Sequence, residues 1–146
     1  MSDLARRLNQ DLATAIKERQ ETERTVLRSL TAALKNEQIA SGRELDDAAV
    51  LAVVTKQVKQ REESVAAYAS RPELAQQEAA EAEVLKRYLP EQLDDAALDQ
   101  LVEEAISETG ASGMADMGTV MGVLKPKVAG RADGGAVAAK VKAKLG

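Results

Sequence analysis

Apolar residues in this chain recur at spacings of three and four along seven successive stretches, most of them bounded by Asp, Ser, Gly or Pro. That period gathers side chains into one stripe on an α-helix. Ala, Leu, Glu, Lys, Gln and Arg, all strong helix formers, dominate, and proline occurs only three times. The sequence therefore predicts an all-α, multihelical fold. With 146 residues, 45% of them hydrophobic and 30% charged, the chain is too apolar for disorder and can bury about two-thirds of its unfolded surface.

The first helix is expected over 3–19, with Leu4, Leu8, Leu12, Ala15 and Ile16 on one face and Ser2 or Asp3 as cap. The second starts at Thr22, turns Val26, Leu27, Leu30, Ala33 and Leu34 inward, and stops near Ile39, where Ser41-Gly42 offers a left-handed exit. Asp46-Asp47 opens the third, with Leu51, Val54, Val58, Val65 and Tyr68 inward and an end near Ser70. Pro72 suits the first turn of the fourth, which carries Leu74, Ala75, Glu78, Ala82 and Leu85 and stops before Pro90. A fifth helix buries Leu98, Leu101, Val102, Ala105 and Ile106 and ends at Gly110. The sixth follows Ser112, with Met114, Met117, Val120, Met121 and Leu124 inward, until Pro126 removes an N–H and ends it. Asp133 caps the seventh, which carries Val137, Val141 and Leu145.

The break at Leu89-Pro90-Glu91 divides a four-helix N-terminal domain, 1–89, from a three-helix C-terminal domain, 90–146, which is small enough to be marginal alone. Leu93-Asp94-Asp95-Ala96-Ala97-Leu98 echoes Leu45-Asp46-Asp47-Ala48-Ala49-Val50, but helix-start chemistry alone explains both strings.

Cysteine and histidine are absent, which removes disulfides, thiolate nucleophiles, His/Cys zinc sites and histidine general bases. With no Phe or Trp, and only Tyr68 and Tyr88, the chain lacks the aromatic platform of sheet-based RNA readers. No phosphate-loop, dinucleotide or nucleophile-elbow motif occurs. Glu78, Glu81 and Glu83 are expected on an exposed face, and Asp46, Asp47, Asp94 and Asp95 are explained by capping. The expectation is no catalytic residue, no metal and no cofactor. The N-terminus shows no signal-peptide pattern and no apolar run of about 18 residues exists, so a cytoplasmic protein without membrane contact is expected.

Charge is uneven along the chain. Residues 1–113 carry 14 Lys and Arg against 22 Asp and Glu, a net of −8, whereas residues 114–146 carry six against two, a net of +4. A basic tail of this kind can meet nucleic-acid phosphates. Lys125, Lys127 and Arg131 flank Gly130 and Gly134-Gly135 before the seventh helix and are the main phosphate candidates, with Lys140 and Lys144 as helpers. Lys142 lies about 160° around the helix from both helpers. The competing reading is that the last-turn lysines complement a helix dipole on a solvated face. Gly118 and Gly122 leave a bare strip on the sixth helix, for tight packing within the tail or for an RNA backbone. In the first domain, Lys56, Lys59 and Arg61, and Arg24, Arg28 and Lys35, read as salt-bridged faces served by Glu62, Glu63 and Glu37.

Four stretches stand out when the sequence is read end to end: Val26-Leu27-Arg28-Ser29-Leu30 running on to Leu34-Lys35-Asn36-Glu37, Lys59-Gln60-Arg61-Glu62-Glu63-Ser64 with Tyr68, and Tyr88-Leu89-Pro90-Glu91-Gln92-Leu93. The last is Met117-Gly118-Thr119-Val120-Met121-Gly122, running through Lys125-Pro126-Lys127 to Gly130-Arg131-Ala132-Asp133-Gly134. In their order and spacing the sequence resembles the YqeY family, small bacterial proteins related to the tail of the GatB subunit of the tRNA-dependent amidotransferase. The resemblance implies a helical N-terminal domain joined to a three-helix domain. It also implies a link to carbon-nitrogen ligation with glutamine as amido donor, in which the chemistry resides in other parts of the complex. The expected function is a non-catalytic tRNA-binding or tRNA-amidotransferase-associated module, with tRNA and an amidotransferase or tRNA synthetase subunit as partners. The alternative is a protein-interaction adaptor using the acidic first domain or the Met114, Met117 and Met121 face.

Overall fold

The computed structural model describes residues 1–146. It is all-helical: α1 (Asp3–Lys17), α2 (Glu21–Ser41), α3 (Asp47–Ala67), α4 (Pro72–Lys86), α5 (Asp95–Thr109), α6 (Met117–Val128) and α7 (Gly134–Leu145), with a short 3-10 turn at Met114–Asp116. Two compact units form, Met1–Leu89 and Pro90–Gly146.

Local chemistry sets most helix ends. The side chains of Ser2, Asp46, Asp94 and Asp133 each accept the N–H three residues on, at 3.1, 2.9, 2.7 and 3.2 Å. Each satisfies a donor that the first turn leaves without an intrahelical partner. The two similar Asp-Asp strings are thus both caps. Gly42 and Gly110 close α2 and α5 in the left-handed region, at φ of 70° and 68°.

In the first unit, Leu8, Val26, Leu27, Leu30, Val50, Val54, Val84 and Leu85 form the core, with α3 lying against α4. Two residues expected inside are not. Ile16 is 44% exposed and Tyr68 36% exposed. Both sit where a helix ends, so the apolar stripe runs past the core it serves. A third expectation fails in the opposite sense: Glu81 is only 8% exposed. Arg61 accounts for it, reaching from α3 to pair with Glu81 and, at 3.4 Å, with Glu78.

In the second unit, Leu98, Val102, Ala105, Val120, Leu124, Val128, Val137, Val141 and Leu145 make the core. Pro126 does not end α6, which continues to Val128. Burial of Leu124 and Val128 on either side of the proline, 0% and 7% exposed, offsets the one helical hydrogen bond that its missing N–H forgoes.

Candidate nucleic-acid interface

Of the five candidate cations, Lys125, Lys127 and Arg131 cluster at the end of α6 and the turn that follows. Arg131 is the most constrained. Its Nε–H donates to the Glu91 carbonyl at 3.1 Å and its Nη1 to the Lys127 carbonyl at 3.3 Å. The Arg131 carbonyl in turn accepts the Leu93 N–H at 2.9 Å, and the Gln92 amide donates to Gly130 at 2.7 Å. Gly130 takes φ of 70° to make the turn. Residues 91–93 and 127–131, each within a stretch that carries the family resemblance, therefore meet in one hydrogen-bonded corner. Sequence reasoning missed this second role of Arg131, because its acceptors are backbone carbonyls of no recognisable type, one of them 40 residues away at Glu91. A guanidinium has five N–H donors in a fixed fork. Arg131 commits two of them and stays half-buried, which orients the remainder.

Lys125 is exposed on α6 and has no acidic partner within ion-pair distance. Lys127 reaches Glu108 at 3.6 Å, with both side chains well exposed, and such a pair is worth little and exchanges readily. Lys140 and Lys144 are employed otherwise. Lys140 bridges Asp95 and Asp99, both at 2.8 Å, and Lys144 meets Glu103 at 2.8 Å. The hydrogen bonds that Lys140 donates to Asp95 and Asp99 hold its ammonium above the usual pKa, and the same bond from Lys140 holds Asp99 below the usual carboxylate range. These two lysines tie α7 to α5.

Gly118 and Gly122 are both exposed, and a Cβ added at either would meet nothing within 4 Å. The expectation of tight packing within the tail is therefore overturned. Together with Lys125 they form a smooth strip along the outer side of α6. Met117 and Met121 pack against the second core, whereas Met114 is 42% exposed, so the methionine stripe is mostly interior.

The folded units redistribute the charge. Pro90–Gly146 carries six basic and nine acidic side chains, net −3, and Met1–Leu89 carries 14 and 15, net −1. Neither unit is a strongly charged body, because the acids of α5 belong with the basic tail. In the first unit Arg24 pairs with Glu21 at 3.0 Å, and Glu62 reaches Lys86 on α4 at 3.2 Å. The expected partnering of Arg61 with its own helix gives way to the α3–α4 bridge described above.

A family model described as Yqey-like protein matches residues 5–145. The chain belongs to the YqeY family. Three curated relatives of this YqeY chain carry the name altered inheritance of mitochondria protein 41, mitochondrial. The protein from Meyerozyma guilliermondii is 39% identical over 84 residues, 56% of this chain and 44% of its own length. That from Lachancea thermotolerans is 29% identical over 111 residues, 73% of this chain and 59% of its own. That from Eremothecium gossypii is 30% identical over 131 residues, 87% of this chain and 68% of its own. The YqeY chain thus spans about half the length of the first two, at 44% and 59%. These relatives are mitochondrial by name and lend no support to a bacterial ascription. No helix is long and apolar enough to cross a membrane, and no group of three or more acidic side chains is placed to hold a metal ion.

Proposed function

We propose that this YqeY-family chain is a non-catalytic tRNA-binding or tRNA-amidotransferase-associated module. Its phosphate contacts are Lys125, Lys127 and Arg131, and Lys140 and Lys144 support that edge by holding α7 on α5. The observation that carries the reading is the smooth strip of Gly118 and Gly122 leading to the unpaired Lys125, next to an Arg131 fork fixed by two carbonyls. A sugar-phosphate backbone can approach the glycines closely, while the cations meet its charge. The net charge of the unit is negative, so attraction is local to this edge. Three phosphate contacts correspond to a salt slope of about −2 to −3.

The test is binding of the full chain to total tRNA across a salt series, with duplex DNA as control. Saturable binding that prefers tRNA is expected, and Lys125→Ala with Lys127→Ala should flatten the slope by about 1 to 2. Binding of the double variant indistinguishable from wild type would overturn the assignment of these residues. Glutamine turnover by the pure chain would overturn the non-catalytic reading. We further propose that 1–89 and 90–146 are separately folding domains, and that the protein works where tRNA is found, in a cytoplasm or inside a mitochondrion. Expression of each half, and imaging of the tagged full-length protein, decide these two points.

A further inference from the structure

The first unit holds a concavity of about 470 Å³ between α1, α2 and the start of α3, within the range of small-ligand pockets. Its floor is apolar: Leu34, Leu45 and Val50 line it and are 9%, 8% and 1% exposed. Its α2 side follows from helical spacing. Leu27, Leu30 and Leu34 face the core, which places Arg28, Ala32 and Lys35, at i, i+4 and i+7, together on the neighbouring flank. Arg28 and Lys35 are two turns apart, about 10 Å along the axis, and the small Ala32 between them leaves the mouth open.

Both cations are uncompensated. Arg24, one turn earlier, is paired with Glu21, yet Arg28 and Lys35 have no acid within ion-pair distance, contrary to the pairing with Glu37 that the sequence suggests. The one carboxylate lining the same concavity, Glu44, is engaged by the amino group of Met1. Two unpaired cations on the rim and a hydrocarbon floor ask for one kind of occupant, with an apolar body and an anionic head. A guanidinium suits a carboxylate or phosphate by its planar fork, and a lysine adds a mobile second charge.

We propose that this concavity binds a small amphipathic organic anion, its apolar body on Leu34, Leu45 and Val50 and its carboxylate or phosphate head on Arg28 and Lys35. The site uses none of the residues assigned to tRNA, so the two readings stand or fall separately. The experiment is titration calorimetry of the full chain with decanoate, decyl phosphate and decanol, and with inorganic phosphate as head-group control. At least one of the two anions should bind at least tenfold more tightly than decanol and inorganic phosphate. Decanoate alone would assign a carboxylate head, and decyl phosphate alone a phosphate. Arg28→Gln with Lys35→Gln alters two exposed side chains, with folding checked by thermal melting. It should weaken the bound anion at least tenfold and leave decanol unchanged. Ala32→Phe should fill the mouth and remove binding. The proposal is overturned if neither anion binds, if decanol matches the anions, if inorganic phosphate matches decyl phosphate, or if any of these folded variants binds like wild type.

Discussion

Replacing Arg61 with methionine is expected to destabilise the first unit by about 3 kcal/mol. Arg61 pairs with two carboxylates, Glu81 and Glu78, and the three side chains are 17%, 10% and 24% exposed. Without it, Glu81 keeps one neutral donor, the Gln77 amide at 3.2 Å, in a place nearly closed to water. Removing one partner of a buried pair costs about 3 to 5 kcal/mol, chiefly by stranding the other charge. The Gln77 bond and the wetter Glu78 set the loss near the lower end. If stranding is the cause, removing the stranded charge should repair the damage: Arg61→Met with Glu81→Leu should return to within about 1 kcal/mol of wild type. The wild-type pair also leaves Arg61 Nε buried without a partner, at a cost of roughly 1 to 3 kcal/mol, which favours the apolar replacement. Urea unfolding followed by tyrosine fluorescence is the assay, since Tyr68 and Tyr88 are the only aromatic residues and both lie in Met1–Leu89. For a unit of this size the single variant should lose roughly 12 to 24 °C in Tm. A loss under about 1 kcal/mol, or a double variant as unstable as the single one, would refute the reasoning.

Three other substitutions probe features described above. Tyr88→Phe removes the 2.6 Å hydrogen bond to Asp11 and should cost about 1.5 kcal/mol at neutral pH. Burial and then Asp11 push the Tyr88 phenol well above its usual pKa. Its contribution is therefore complete below about pH 10 and is lost as pH rises through the shifted value, so alkaline denaturation curves followed by circular dichroism should lose that component in Tyr88→Phe. Arg131→Lys keeps the charge but loses the fork to Glu91 and Lys127, and should lower the second unit's stability by about 1 to 2 kcal/mol while leaving the tyrosine signal unchanged. Pro126→Ala supplies the N–H that α6 lacks and should raise the second unit's thermal midpoint, by an amount equivalent to about 1 to 3 kcal/mol.

Helix positions are legible here because their signals are local: a cap acts on an N–H three residues away, and a left-handed glycine closes its own turn. Errors arise where a distant partner overrides the local signal. Pro126 reads as a stop, but Val128 has a core to fill and carries the helix past it. Glu81 reads as surface until Arg61 is seen one helix away. There was a trace of this in the sequence, since Arg61 lies on the α3 stripe that runs from Val50 through Val54 and Val58 to Val65. An arginine on an apolar stripe needs a carboxylate opposite, and α4 offers Glu78 and Glu81. The run from Ala139 to Leu145 alternates small or apolar residues with lysine, which fits a strand as well as a helix. Burial of Val137, Val141 and Leu145 against α5 and α6 decides for the helix.

The candidate site was less legible because charge counted along a chain differs from charge on a folded surface. Residues 114–146 carry +4, but Asp95, Asp99 and Glu103 recur every four residues on α5, and Lys140 and Lys144 on α7 keep the same interval. Two ladders of equal period and opposite sign neutralise each other when their helices pack, leaving a unit of net −3. The bonds that fix Arg131 likewise convert one predicted ligand contact into part of the fold, while preserving the donors that it does not spend. An interface made this way is short, with Lys125, an exchangeable Lys127 and the free side of Arg131. That limits how steeply tRNA affinity can fall with salt. A measured slope beyond about −4 would exceed what three cations supply. It would call for further cations beyond Lys125, Lys127 and Arg131.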